Sequence, residues 1–207
     1  MPIYKTITIQ PDIKLALWHV DESIDQLEKG IKLSPFCQQK YKAMSSLVHR
    51  KGFMSIRHLL HYFGYTDFDL EYDDKGKPHL KDGRHISISH SFQYTGVIIS
   101  DKPVGIDIEK QRPIIKKIAH KFTPLRKYKH INDDQVLIKK LTVVWCAKES
   151  TYKFYGKKGL FFLKDIDVVD FNLADQKTTV RVLNQQHQPT YQIKFLEFDG
   201  FFCAYTY

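Results

Sequence analysis

The chain has 207 residues, of which 43% are hydrophobic, 14% aromatic and 27% charged, with a net charge of +9. That length suits one large domain or two small packed ones, and the apolar content excludes a disordered or fibrous chain. No apolar stretch approaches the roughly 20 residues that cross a bilayer, and no charged segment followed by an apolar run marks a leader, so no membrane role is expected.

In chain order, residues 3–20 alternate loosely and end in Leu15-Ala16-Leu17-Trp18-His19-Val20, which predicts a strand pair. Ser45 to Tyr62 reads as a helix stopped by Gly64. Phe68–Tyr72 and Pro78–Leu80 flank the turn-forming Asp73-Asp74-Lys75-Gly76-Lys77, predicting a hairpin. Ile86–Ser89, Thr95–Ile99 and Val104–Glu109 read as strands, with Lys102-Pro103 breaking the last two apart. Asn132 or Asp133 can cap a long helix running to about Tyr155 and ending at Gly156. Ile166–Phe171 reads as a strand, and Tyr191–Phe198 and Phe201–Tyr207 as a hairpin around Asp199-Gly200.

Each half therefore holds one main helix and several strands. A short echo links Arg57-x-x-x-x-Tyr62-Phe63-Gly64 with Glu149-x-x-x-x-Phe154-Tyr155-Gly156, hinting at duplication. No low-complexity linker separates the halves, so they are expected to pack closely around a cleft. Cys37, Cys146 and Cys203 are odd in number and lack metal-site spacing, and read as reduced thiols of a cytoplasmic protein.

The charge is uneven. Between Lys110 and Lys164 stand 15 Lys or Arg and three acidic residues, a net of +12 that exceeds the surplus of the whole chain. Such a surface steers an anionic partner: nucleic acid, an acidic protein or a phosphorylated cofactor. A basic face kept for solubility is the alternative. Interleaved aromatics such as Phe122, Tyr128, Tyr152 and Tyr155 fit a nucleic-acid binder, but no helix-turn-helix, zinc-finger or oligonucleotide-binding motif accompanies them.

Four constellations carry chemistry. In Val104-Gly105-Ile106-Asp107-Ile108-Glu109, strand alternation turns the apolar residues one way and Gly105, Asp107 and Glu109 the other. Two carboxylates at i and i+2 call for a cation, either a hard divalent ion or Lys and Arg partners on an exposed face. Gly105 leaves room for a ligand or another backbone. On the long helix, Trp145, Glu149 and Lys153 fall at i, i+4 and i+8 on one stripe. This is either a surface Glu–Lys pair or, beside a buried indole, a carboxylate and an ammonium awaiting a metal and a phosphate. Ser87-Ile88-Ser89-His90-Ser91 ends a strand with groups suited to phosphate oxygens, or forms an ordinary polar turn. In Gly76-Lys77-Pro78, the proline stiffens a turn that presents Lys77 to a ligand or merely to solvent.

Together and in order these elements resemble the larger, single-chain class of 4'-phosphopantetheinyl transferases, the surfactin-synthetase-activating type. The matching residues are Gly76-Lys77-Pro78, Ser89-His90-Ser91, Gly105-Ile106-Asp107-Ile108-Glu109, and Trp145 through Lys148-Glu149 to Lys153, with 42 positions from Asp107 to Glu149. The match covers about residues 74–160. Upstream, Arg50 and Arg57 stand where the family places basic contacts to the nucleotide end of coenzyme A. One departure is Phe122-Thr123-Pro124-Leu125-Arg126, where the family commonly ends the run in Glu.

The resemblance implies an α+β fold of two pseudo-symmetric halves, each a main helix on a mostly antiparallel sheet. Residues 1–103 would serve the coenzyme A nucleotide and residues 104–207 the metal and the chemistry. It implies transfer of 4'-phosphopantetheine from coenzyme A to a serine of an acidic apo acyl or peptidyl carrier protein, releasing 3',5'-adenosine diphosphate. Asp107, Glu109 and Glu149 would hold magnesium, with manganese as the alternative. Glu149, Lys153, Asp107 and His90 would carry catalysis. Arg50, Arg57, Lys77, Pro78, Ser89, His90, Asp107, Glu149 and Lys153 would bind the cofactor. Lys116, Lys117, Lys121, Arg126, Lys127 and Lys129 would steer the carrier. A monomer with no nucleic-acid or membrane partner follows from the same reading.

Overall fold

The computed structural model describes residues 3–156, 159–183 and 188–207; Lys157 and Lys158 of the basic stretch lie outside them. The chain divides into two compact units, Met1–Pro103 and Val104–Tyr207. Both are α+β, with helices on antiparallel sheets.

The first unit runs β1 (Ile3–Gln10), β2 (Ile13–His19), α1 (Ile24–Glu28), α2 (Pro35–Lys42), α3 (Leu47–Tyr62), β3 (Leu70–Tyr72), β4 (Pro78–Leu80), β5 (His85–Ser91) and β6 (Tyr94–Ser100). Its main sheet has the order β1-β2-β6-β5, antiparallel throughout. The Ser46 hydroxyl accepts the His49 N–H and so starts α3, while Gly64, at φ +84°, supplies the left-handed residue beyond its end. Ile56, Leu59 and Leu60 of α3 then meet Trp18, Ile86 and Val97 from the sheet, because residues three and four apart share a helix face. The short α1 and α2 go beyond the predicted elements. Their signals were nonetheless present: a Ser23/Gln26 capping box, and Ser34 capping a helix with Pro35 in its first turn.

A buried ion pair ties this unit together. Arg57 donates from Nε to Asp67 Oδ1 at 2.8 Å and from Nη1 to the Phe53 carbonyl at 2.9 Å. Asp67 Oδ2 also accepts from the amide and the hydroxyl of Ser34, both at 2.8 Å. The side chains are 1% and 0% exposed. Removing one partner strands the other charge in the interior, which costs about 3–5 kcal/mol. Arg57→Met should therefore lower the urea midpoint sharply, and Arg57→Met with Asp67→Leu should recover part of the loss. A single variant as stable as the parent would refute this role.

The second unit runs β7 (Gly105–Lys110), α4 (Ile114–Ile118), α5 (Asp134–Tyr155), α6 (Phe162–Asp165), β8 (Ile166–Val168), β9 (Lys177–Val182), β10 (Thr190–Phe198) and β11 (Phe201–Thr206). The sheet order is β7-β11-β10-β9-β8, again antiparallel. The Asp133 carboxylate caps the Gln135 and Val136 amides, and Gly156, at φ +65°, closes the other end of α5. Asp199 and Gly200 both take positive φ, the backbone of a two-residue hairpin between β10 and β11. Leu141, Val144 and Ala147 of α5 pack on Phe195, Phe202 and Ala204. Strand β9 escaped prediction, although Thr178, Val180 and Val182 alternate inward along it.

Candidate active site

The two motifs of the second unit meet where α5 crosses β7. A Cβ built on Gly105 would lie 1.9 Å from the Ser150 carbonyl oxygen. The glycine is thus the close approach of another backbone, and it turns the face carrying Gly105, Asp107 and Glu109 toward the helix. That face is not exposed: Asp107 is 5% accessible, and Ile106 and Ile108 on the opposite face are buried too. Antiparallel pairing sets Asp107 across from Ala204 and Glu109 across from Phe202.

Lys153 donates from Nζ to Asp107 Oδ1 at 2.7 Å and to the Ile106 carbonyl at 3.0 Å. Burial alone would lower its pKa, but the charge and hydrogen bond of Asp107, with Glu149 behind them, raise it. Glu149, one turn back on the same stripe, has its pKa pushed up to about 7 by burial and then by the charges of Asp107 and Glu109, against the pull of Lys153. Trp145 donates from Nε1 to Glu109 Oε1 at 3.2 Å. The structure thus brings Asp107, Glu109, Glu149 and Lys153 into one electrostatic cluster.

Three carboxylates gathered beside Lys153 are hard oxygen donors of the kind that suit a hard cation. Burial raises the Glu149 pKa most, and the neighbouring charges of Asp107 and Glu109 add to it. Among the described residues, no three His, Cys, Asp or Glu side chains are grouped as a ligand set for one ion. The donor chemistry suits a cation, while Lys153 supplies the positive contact to Asp107 in this arrangement.

Phe122 is buried with its ring 5.0 Å from that of Trp145. Arg126, where the family's Glu would stand, is exposed in the 3-10 turn Leu125–Tyr128. Of the six cations expected to steer a partner, Lys116 pairs with Asp134 and Lys127 with Asp167. Lys117, Lys121, Arg126 and Lys129 stay exposed.

The first unit holds the remaining expected residues. Asp73 organises the turn before Lys77 and Pro78, accepting the Lys75 and Lys77 amides at 2.9 and 2.8 Å. Lys77 is half-buried and its pKa is lowered by that burial, so it is not simply solvated. His90 is exposed and lies edge-on to His49, ring centroids 5.9 Å apart. Ser89 is 5% exposed and points to the other face of β5, so the two side chains diverge rather than forming one surface.

One expected contact changes character. Arg57 has 1% exposure and is held by Asp67, so an anion would have to displace that carboxylate; its role is structural. Arg50 bonds Glu28 at 3.1 Å and lies over the Tyr41 ring. It lines a cavity of about 560 Å³ with those residues, whereas His90 lines another, of about 310 Å³. That second cavity includes Lys40 and His49, which the sequence reading passed over. The available signal was the spacing of His49, Phe53, Ile56 and Arg57 along α3.

Comparison with known proteins points the same way. Residues 103–206 match the model of the 4'-phosphopantetheinyl transferase superfamily. The chain is 31% identical over 138 residues to the 4'-phosphopantetheinyl transferase Sfp of Bacillus subtilis (strain 168), covering 65% of this chain and 60% of that protein. It is 30% identical over 134 residues to the 4'-phosphopantetheinyl transferase gsp of Aneurinibacillus migulanus, covering 64% and 55%. The chain thus spans 60% or less of the length of these two curated relatives.

Proposed function

The chain belongs to the 4'-phosphopantetheinyl transferase superfamily, and from that premise we propose that it moves the phosphopantetheine arm of coenzyme A onto a serine of an apo carrier protein. The observation that carries the reading is the cluster of Asp107, Glu109, Glu149 and Lys153 where α5 crosses β7, inside the span that matches the family.

The carrier serine oxygen attacks the β-phosphorus of coenzyme A. The bond from that phosphorus to the oxygen bridging the diphosphate breaks, and 3',5'-adenosine diphosphate leaves. Glu149, in its ionised form, takes the serine proton. Charge developing on the phosphoryl oxygens and on the leaving phosphate is met by Lys153 and His90, since positioning and electrostatics dominate such transfers. Asp107, Glu109 and Glu149 would hold a divalent cation, magnesium or alternatively manganese, which when bound supplies further positive charge to the diphosphate. Lys77 and Pro78 of the first unit, with Lys40 and His49 beside His90, are offered to the nucleotide end, and Ser89, on the other face of β5, is offered to the same cofactor separately. Arg57 drops out of that list because Asp67 holds it in the interior, while Arg50, half-exposed beside Glu28, stays in it.

The protein works as a cytoplasmic monomer in this reading; among the described residues no helix is long and apolar enough to cross a membrane. The carrier is acidic and meets Lys117, Lys121, Arg126 and Lys129, the exposed four of the six steering cations. Raising ionic strength should then raise KM for the carrier. Lys117→Glu with Lys121→Glu should reproduce that effect at low salt. A carrier KM that stays flat across ionic strength would remove the steering role. The activity itself is tested by incubation with coenzyme A, magnesium and a panel of apo carriers, with mass spectrometry reading the gain of one phosphopantetheine. No gain on any carrier, with a known transferase loading the same panel, would sink the reading.

A further inference from the structure

Lys148 stands in the helix motif, yet the proposed reaction gives it no work. Its side chain is 1% exposed. Positions 145, 148 and 152 fall at i, i+3 and i+7, so Lys148 lies between Trp145 and Tyr152 along one edge of α5. Its Nζ donates to the Phe162 carbonyl at 2.6 Å and to the Ile166 carbonyl. Those carbonyls belong to the first residue of α6 and the residue just past its end, so one side chain clamps α6 onto α5. The Phe162 ring then lies against Trp145 and Tyr152, at centroid distances of 5.4 and 5.8 Å. Trp145 in turn holds Glu109 by its indole N–H.

A methionine would fill the same space without burying a charge. What the lysine adds is two directed bonds to backbone, and these set where the Phe162 ring sits. We propose that Lys148 is a positioning residue for Glu109, acting through Phe162 and Trp145 and touching neither substrate nor cation. The inference rests on the reading of Asp107, Glu109 and Glu149 as the working carboxylates. Groups that orient a ligating carboxylate from behind typically matter by about 10–100-fold in affinity or activity.

The chain has two tryptophans, Trp18 and Trp145, so labelling with fluorotryptophan gives two fluorine resonances, assigned by Trp145→Phe. Lys148→Met should shift the Trp145 resonance and leave that of Trp18 in place. It should lower kcat by about 10–100-fold with KM for coenzyme A unchanged. Combined with Trp145→Phe, it should cost no more than the larger single change, because both act on one link. An unmoved Trp145 resonance, or losses that simply add, overturns the proposal. Phe162→Leu interrupts the same link while keeping the buried lysine. If Lys148→Met does not fold, that variant decides: a shifted Trp145 resonance together with a lowered kcat supports the proposal, and an unshifted resonance or a parental kcat overturns it. The spectrum is read without coenzyme A or carrier, so a protein that transfers nothing would sink the proposed activity and leave this inference to its own result.

Discussion

Glu149→Gln is expected to lower turnover at saturating coenzyme A by at least about 100-fold, the lower range for loss of one general acid-base group. The amide keeps the size of the side chain but can neither accept the serine proton nor contribute charge toward a cation. Asp107→Ala should be comparably damaging, since it also releases the Lys153 ammonium. A Glu149→Gln enzyme with parental kcat would take that residue out of the mechanism.

The same substitution has a readout in stability. The Glu149 carboxyl titrates near 7 in the folded protein because burial and the charges of Asp107 and Glu109 oppose ionisation. Between its ordinary value and 7 the folded state therefore binds a proton that the unfolded state has released, so stability falls as pH rises through that window. The expected decline in the metal-free protein is on the order of 2–3 kcal/mol. Chemical denaturation from pH 4.5 to 7 should show most of it in the parent and not in Glu149→Gln, and added magnesium should flatten the parental slope. Equal slopes in the two proteins would contradict the electrostatic account of this cluster.

Gly105→Ala carries the second large effect. The new methyl would sit 1.9 Å from the Ser150 carbonyl oxygen, 2.9 Å from its carbon and 3.0 Å from Phe154 Cβ. Two of those three atoms are backbone of α5, so no side-chain rotation relieves the overlap and the helix must lift off β7. Overpacking of this kind costs about 1–3 kcal/mol or more. Displacing the helix also separates Lys153 and Glu149 from Asp107, and a misplacement of about 1 Å can cost roughly 100-fold in rate. Both the urea midpoint and kcat should fall, with kcat still depressed under conditions where the variant is fully folded. Gly83→Ala is the control: Gly83, at φ +85°, has no atom within 4 Å of a built Cβ, so only backbone strain remains there. Loss of stability without loss of kcat at Gly105 would mean that the close approach supports the fold alone.

Local chemistry wrote much of this protein legibly. Gly64, Asp133 and Gly156 mark helix ends because capping needs only a side-chain oxygen or a left-handed residue close in sequence. Asp199-Gly200 marks its hairpin for the same reason. The stripe of Trp145, Glu149 and Lys153 follows from helical periodicity, and the common face of Gly105, Asp107 and Glu109 from strand alternation. Spacing and order among these motifs were enough to point to a family.

Long-range packing decided the rest. Nothing near Arg57 in sequence announces Asp67 as its buried partner, so an arginine that reads as a phosphate contact becomes a structural anchor. Arg50 is likewise drawn to Glu28, 22 residues upstream. Gly105 could have admitted a ligand; only the seating of α5 shows that the Ser150 carbonyl takes the space. Glu149 carries an ordinary carboxyl by residue type, and its raised pKa exists because folding brings Asp107 and Glu109 close while removing water. Residue identity set which groups could react, and desolvation with close approach between distant segments set their charge and their neighbours.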